Sequence, residues 1–332
     1  MIDLEKIYDG SSLSTTETES VFAEMFAGKL DPVLCSSLLT AMKMNGYTAS
    51  EIGGAASAML NAAVHFERDL SIDTGDIVGT GGDCKNTFNI STTSCFVIAG
   101  AGYKVAKHGN YAATSVSGAS NVIQHHGIKF TDDIDKLNRS LDEAGIVYLH
   151  AQLFAKAMKF VGPIRQALQF PTIFNLLGPL VNPSQPQCQL LGVANLDQMR
   201  LYNNVYQKIG IDFGIVNSID GYDEISLTSD FKVTTNTYER IFKPQDLGFD
   251  IARPEEVVGG ATEEEAAAIF DAVLENRALP AQKNIVLANA AFGIQVLEKG
   301  QKSIEECIET ARESIDSGKA LATFKKFAEL NS

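Results

Sequence analysis

The feature that most constrains the fold is a change of texture at Asp73. Before it, apolar residues recur only at helical spacing. Val21, Phe22, Met25 and Phe26 form one stripe, with Thr16 as its expected cap. Leu34, Leu38, Leu39 and Met42 form a second stripe behind Asp31-Pro32, closed by Gly46. Thr48-Ala49-Ser50-Glu51 reads as a capping box before an Ala-rich third helix. After Asp73, short β-branched runs alternate with Gly-rich turns and helical stretches. Strands are expected at Ile77-Val78, Tyr103–Ala106, Leu190–Val193 and Phe213–Val216. Helices are expected at 92–101, 117–126, 196–209, 262–277, 280–298 and 302–316. Such alternation predicts an α/β class with a mainly parallel sheet flanked by helices.

A chain of 332 residues accommodates two unequal domains. The expected division is a small all-helical N-terminal domain, 1–70, hinged to a larger α/β domain, 73–332. The stretch Ala155–Pro183 is punctuated by Gly162-Pro163, Pro171, Gly178-Pro179 and Asn182-Pro183, which predicts short helical pieces. It reads equally as a segment returning to the helical lobe at about 160–185, with a hinge, and as an ordinary surface connection.

Charge narrows the partners. Lys plus Arg number 27 against 41 Asp plus Glu, a net −14. A surface this acidic repels phosphate backbones and anionic lipid, so neither nucleic acid nor membrane is an expected partner. The five cysteines are odd in number and contain no C-x-x-C pair, which points to a reducing compartment. The opening MIDLEKIYDG has no signal pattern and no apolar run approaches a membrane span, so a cytoplasmic protein is expected.

Four motifs could carry chemistry. Gly79-Thr80-Gly81-Gly82-Asp83 follows a strand, and its glycines let backbone N–H groups converge on a phosphate. It matches neither common nucleotide signature, and a plain tight turn accounts for it as well. Asn89-Ile90-Ser91-Thr92-Thr93 precedes an apolar helix, whose N-terminus attracts anions; simple capping is the bland reading. Lys107-His108-Gly109-Asn110, with Thr114-Ser115 beyond, follows the expected 103–106 strand, where open α/β sheets place ligands. Asp220-Gly221-Tyr222-Asp223-Glu224 offers two adjacent carboxylates, suited to Mg²⁺ but also common on solvated surfaces. Ile225–Thr228 after it reads as a strand. Arg165 is a candidate fork for a carboxylate, or an exposed helix residue. His65, His125 and His126 read as structural, and His108 only weakly so.

Together, GTGGD, NISTT, VAKHGN, IFNLLGPLVNP and DGYDEISLT, in that order, closely resemble the anthranilate phosphoribosyltransferase family over about residues 73–230. The resemblance implies a nucleoside phosphorylase/phosphoribosyltransferase-like fold and a homodimer formed through the helical part. It implies that the amino group of anthranilate displaces diphosphate from phosphoribosyl diphosphate, a step of tryptophan synthesis. It further implies site roles. Gly79, Gly82, Asp83, Thr87, Asn89, Ile90, Ser91, Thr92, Lys107, His108, Gly109, Asn110, Thr114, Ser115 and Ala119 would bind the donor. Gly79, Asn110 and Arg165 would border anthranilate. Ser91, Asp223 and Glu224 would hold Mg²⁺. No residue is expected to act as acid or base.

The chain departs from the family pattern at four places. Ala155 stands where the family has His before Ala-Met-Lys, and His150 is the nearest imidazole in sequence. Tyr111 stands for Arg, Cys84 for Gly, and Ala119-Ser120-Asn121 for Ser-Ala-Asp. Alternatives are a same-fold enzyme with another aromatic amine acceptor, a pyrimidine nucleoside phosphorylase, and a nucleic-acid-binding relative. The last needs a basic surface, which the net charge opposes.

Overall fold

Capped helices come first. In the computed structural model, which describes residues 5–69, 71–111 and 118–332, the short α1 (Glu5–Tyr8) precedes α2 (Thr15–Phe26), α3 (Pro32–Asn45) and α4 (Ala49–Asn61). Ser14 caps α2, not Thr16. Its hydroxyl accepts from the Glu17 N–H while the Glu17 carboxylate accepts from the Ser14 N–H. Three hydroxyl residues stand in a row here, and both Ser14 and Thr16 have an acid three places on, Glu17 and Glu19. The helix starts earlier than the apolar stripe implies, so the Ser14–Glu17 box is the one that closes. Asp31 and Thr48 cap α3 and α4 as their patterns predict.

The sheet has seven strands: β1 (Gly75–Gly79), β2 (Val105–Gly109), β3 (Ile146–His150), β4 (Cys188–Gly192), β5 (Asp212–Ser218), β6 (Phe231–Thr235) and β7 (Glu239–Phe242). Their spatial order is β3-β2-β1-β4-β5-β6-β7. The first five run parallel, and β6 and β7 add an antiparallel ribbon. The chain moves outward from β1 through β2 to β3, then returns to the other side of β1 as β4. The strand order therefore reverses between β1 and β4, the crevice where open α/β sheets bind ligands.

Helices cover both faces. They are α5 (Ile90–Gly100), α6 (Ala119–His125), α7 (Ile134–Ala144), α8 (Ala151–Phe154), α9 (Met158–Leu168), α10 (Phe174–Leu177), α11 (Leu196–Ile209), α12 (Pro254–Val257), α13 (Glu263–Leu274), α14 (Pro280–Leu297), α15 (Ile304–Asp316) and α16 (Lys319–Asn331). Successive strand residues face opposite ways, so Leu190 joins the core with α5 and α13–α16 while Leu191 joins the core with α11 and the N-terminal helices. Val161, Ile173, Phe174 and Leu177 enter this second core. The Phe174 ring lies 5.7 Å from Phe22 and 5.9 Å from Phe26. The 158–177 stretch is thus packed into the helical lobe.

Three local expectations are corrected. Strand β2 runs to Gly109, so Lys107 and His108 lie within it and not beyond it. Their polarity disguised a strand whose end meets the site. Ile225–Thr228 forms no strand; Leu227 has a left-handed φ of 56°, which a ladder does not tolerate. Pro163 does not break α9. It and Lys159 are both exposed, so the carbonyl that loses its partner faces water. His150, the imidazole nearest Ala155 in sequence, ends β3.

Candidate functional site

The crevice between β1 and β4 is closed at its floor by two glycines in register, Gly79 and Gly192. Both lie against Asp223. A Cβ at Gly79 would stand 2.5 Å from Asp223 Oδ2, and one at Gly192 only 1.6 Å from the Asp223 carbonyl oxygen. Only hydrogen fits at these strand ends. Beyond Gly79 the chain turns through Gly81 and Gly82, with φ of 70° and 80°. Cys84 follows at φ 58°, a conformation that suits the family's glycine better than a cysteine. The turn aims the Gly81 N–H at Asp223 Oδ2, 2.6 Å away.

Glu224 reaches the second loop. The Ser91 N–H, in the first turn of α5, donates to Glu224 Oε1 at 2.9 Å. Asn89 is the N-cap residue but makes no side-chain capping bond; its amide donates instead to the Gly118 carbonyl at 3.2 Å. Each carboxylate of the acidic pair therefore accepts one backbone N–H from one of the two segments that the sequence marks as anion sites. Both are buried, at 7% and 9% exposure. Burial pushes the Asp223 carboxyl well above the usual range, helped by the negative charge of Asp83 and opposed by the Gly81 N–H. Burial also raises Glu224, helped by Asp223 and opposed by the Ser91 N–H. Nearby, the Thr80 and Thr92 hydroxyls are buried without a hydrogen-bond partner among the described residues.

These features fit a divalent cation. Two buried, mutually repelling carboxylates with a third beside them require positive charge to ionise together. Among the described residues no group of three or more His, Cys, Asp or Glu side chains could hold a metal by itself. Mg²⁺ needs no such cage, because it is held by one or two carboxylates, waters and substrate phosphate.

At the ends of β2 and β3 the character changes. Lys107 is only 2% exposed, and its ammonium donates to the Ile77 carbonyl at 2.7 Å, so its head lies inside the sheet layer. Asp76 lies deeper still. It accepts from Asn182 at 2.9 Å and Gln189 at 3.3 Å, and its carboxyl is raised by burial. Burial lowers His108 to about 4, with Lys107 and His150 adding to the effect and a bond to the Gly178 backbone opposing it. Gly109 abuts Tyr148, whose hydroxyl would lie 2.2 Å from an added Cβ. Asn110 Oδ1 accepts from the Tyr111 N–H at 2.9 Å. His150 stacks on Phe130 at 4.4 Å and meets the Tyr111 ring edge-on at 5.0 Å. Its Nδ1 is 2.9 Å from Ser120 Oγ, which is 2.8 Å from the Tyr148 hydroxyl. Burial holds the His150 imidazole below its usual pKa.

The remaining candidates lie around these two centres. Thr87 forms an isolated bridge with Val258. Ile90 is fully buried, so only its backbone can serve. Ala119 opens α6 beside Ser120. Thr114 and Ser115 lie outside the described residues. Arg165, on α9, lies over the Phe174 ring at 5.4 Å, and burial lowers its pKa; it forms no ion pair among the described residues. His126 is structural, bridging the Val122 carbonyl and Asp271 at 2.7 and 2.9 Å. The sequence reading missed Gly192, Asp76, Ser218 and Asn289. Gly192 ends an apolar run and Asn289 is the one polar residue in Val286–Ala291, which are the signals that could have found them.

A helical bundle joined to an α/β sheet is the architecture of the glycosyl transferase family whose models match this chain. The family model for the helical bundle domain of that class matches residues 4–63, and the model for its a/b domain matches residues 72–321. An anthranilate phosphoribosyltransferase of Phocaeicola vulgatus is 58% identical over 330 residues, covering 99% of each chain. That of Flavobacterium johnsoniae is 46% identical over 329 residues, covering 99% of this chain and 98% of its own. The crystal structure of the Thermus thermophilus enzyme superposes with a TM-score of 0.92 at 31% identity, covering 99% of each chain. The Saccharomyces cerevisiae enzyme in complex with PRPP and Mg gives 0.89 at 28% identity, covering 98% of this chain and 96% of its own. The chain belongs to the anthranilate phosphoribosyltransferase family.

Proposed function

We propose that this protein transfers the phosphoribosyl group of phosphoribosyl diphosphate to the amino group of anthranilate, releasing diphosphate, in tryptophan biosynthesis. The observation that carries the reading is the meeting of Asp223 and Glu224 with one backbone N–H from each of those two segments at the sheet's switch point. Gly79, Gly82, Asp83, Thr87, Asn89, Ser91 and Thr92 line the donor side, and Lys107 to Asn110 continue it. Asp223, Glu224 and Ser91 would hold Mg²⁺, which supplies charge neutralisation for the departing diphosphate when bound. Asn110 and Arg165 bind the acceptor, Arg165 by pairing its guanidinium with the anthranilate carboxylate.

The chain's own groups explain the chemistry. As the bond to diphosphate lengthens, negative charge gathers on the leaving oxygens, and fixed N–H donors of the 79–83 turn and the α5 N-terminus stabilise it without reorganising. The ribose acquires oxocarbenium character, so placement of the amine matters more than a strong base. No residue is assigned to covalent catalysis; an adduct trapped with phosphoribosyl diphosphate alone would overturn that assignment.

We also propose a two-domain division, 1–70 with the returning 160–185 segment against 73–332, with a hinge between them. The homodimer would form through the helical lobe, where Val33 and Met44 are 75% and 80% exposed. All five cysteines are free, which supports a cytoplasmic location. The test of function is direct: purified protein with Mg²⁺, phosphoribosyl diphosphate and anthranilate should extinguish anthranilate fluorescence. No loss of signal at any Mg²⁺ concentration would refute the reading.

A further inference from the structure

The segment carrying Asp223 and Glu224 has no strand ladder, yet its backbone is buried. Its N–H and C=O groups must find partners elsewhere. They find two side chains. Asn289, 3% exposed in the middle of α14, accepts from the Ile225 N–H at 3.1 Å and donates to the Ile225 carbonyl at 2.8 Å. Its amide also donates to the Ile285 carbonyl at 2.9 Å. Ser218, fully buried at the end of β5, donates to the Glu224 carbonyl at 2.8 Å and accepts from the Ser226 N–H at 3.1 Å.

The acidic pair is therefore gripped from the backbone just behind it. One amide reads both polar groups of residue 225, as a neighbouring strand would, and one hydroxyl fixes the residues on either side. A buried amide is destabilising in an apolar helix unless fully bonded. Among Leu287, Ala288, Ala290 and Ala291, an alanine at 289 would serve packing alone. Two of the three amide bonds go instead to the residue next to Glu224.

We propose that Asn289 and Ser218 are positioning residues that set the direction of the Asp223–Glu224 pair for a divalent cation. This rests on the reading that the pair binds such a cation. A clamp that only stabilises the fold would affect melting but leave cation affinity alone. A clamp that aims the carboxylates affects affinity as well.

The test uses full-length protein and Mn²⁺ as the probe, titrated with diphosphate present and followed by the resonance signal of free Mn²⁺. Asn289→Ala and Ser218→Ala should each weaken Mn²⁺ binding by roughly tenfold or more, the usual cost of losing a partner behind a metal ligand. The KM for anthranilate should stay near that of the parent. Should Asn289→Ala fail to fold, Ser218→Ala decides alone. Lower melting temperatures with parental Mn²⁺ affinity would overturn the proposal. The control is Asp223→Asn with Glu224→Gln. If that variant binds Mn²⁺ like the parent, the cation reading itself fails and the clamp falls with it. If only the control loses binding, the reading stands and the clamp is refuted.

Discussion

The two sides of the crevice are built on opposite principles. Around β1 and α5 the protein buries like charges, Asp223 and Glu224 with Asp83 beside them, and answers them with backbone N–H groups. At the ends of β2 and β3 it packs neutral rings, Phe130, Tyr148 and His150, stacked and tied by hydroxyls. The first arrangement suits a place where charge appears during reaction. The second suits a planar aromatic ring whose amino group arrives unprotonated. The departures from the family pattern follow the same line. Tyr111 and Ser120 both touch His150, so these residues form one physical unit on the side proposed for the acceptor. Their hydroxyl sits at position 120 and not at 119, and it serves the imidazole and Tyr148.

The largest expected effect tests the charged side. Asp223→Asn with Glu224→Gln should cut turnover by at least about a hundredfold while far-ultraviolet circular dichroism stays unchanged. Activity within a factor of about two of the parent would remove the distinction between the two sides. Gly192→Ala should follow. The added methyl cannot coexist with the Asp223 carbonyl, and displacing a catalytic group by an ångström can cost on the order of 10²-fold in rate. A crystal structure of that variant with residues 222–225 unmoved would contradict this.

A smaller, one-sided effect is expected from His150→Phe, which keeps the stack on Phe130 but cuts the link to Ser120. It should raise the KM for anthranilate several-fold and leave that for phosphoribosyl diphosphate unchanged. Equal shifts in both would mean that the sides are not independent.

The smallest effect concerns stability without metal. Asp223 has a raised carboxyl pKa in the folded state, so the folded chain binds the proton more tightly than the unfolded one. This contribution is neutral below the ordinary carboxylate value of about 4 and costs stability as pH rises from there towards neutrality. Asp223→Asn removes the cost. Its melting temperature relative to the parent should rise by a few degrees between about pH 4 and 7 in metal-free buffer. A flat difference would show that Asp223 is not penalised by burial.

Much of this was legible in the chain. Helical stripes with caps at Asp31 and Thr48, and the alternation after Asp73, specify the two parts and the parallel sheet, because burial imposes periods of 3.6 and 2 on the sequence. GTGGD and DGYDE are legible as a Gly-rich turn and an acidic pair, each with a bland reading, and the fold brings the two together through the Gly81 N–H and Asp223. What was hidden has a common cause. Lys107 and His108 belong to β2 but are polar, because a strand end that faces a site gives up its apolar pattern. Ile225–Thr228 has strand composition, yet Asn289 and Ser218 replace the ladder from distant parts of the chain. His150 closes β3, and only the fold reveals that it pairs with Gly109.

Asp223 and Glu224 rest on the amides that the proposed function assigns to diphosphate. Before a substrate arrives, the crevice is therefore no open trap for stray sulfate or inorganic phosphate. Such an ion would first have to displace a carboxyl group already tethered to those amides.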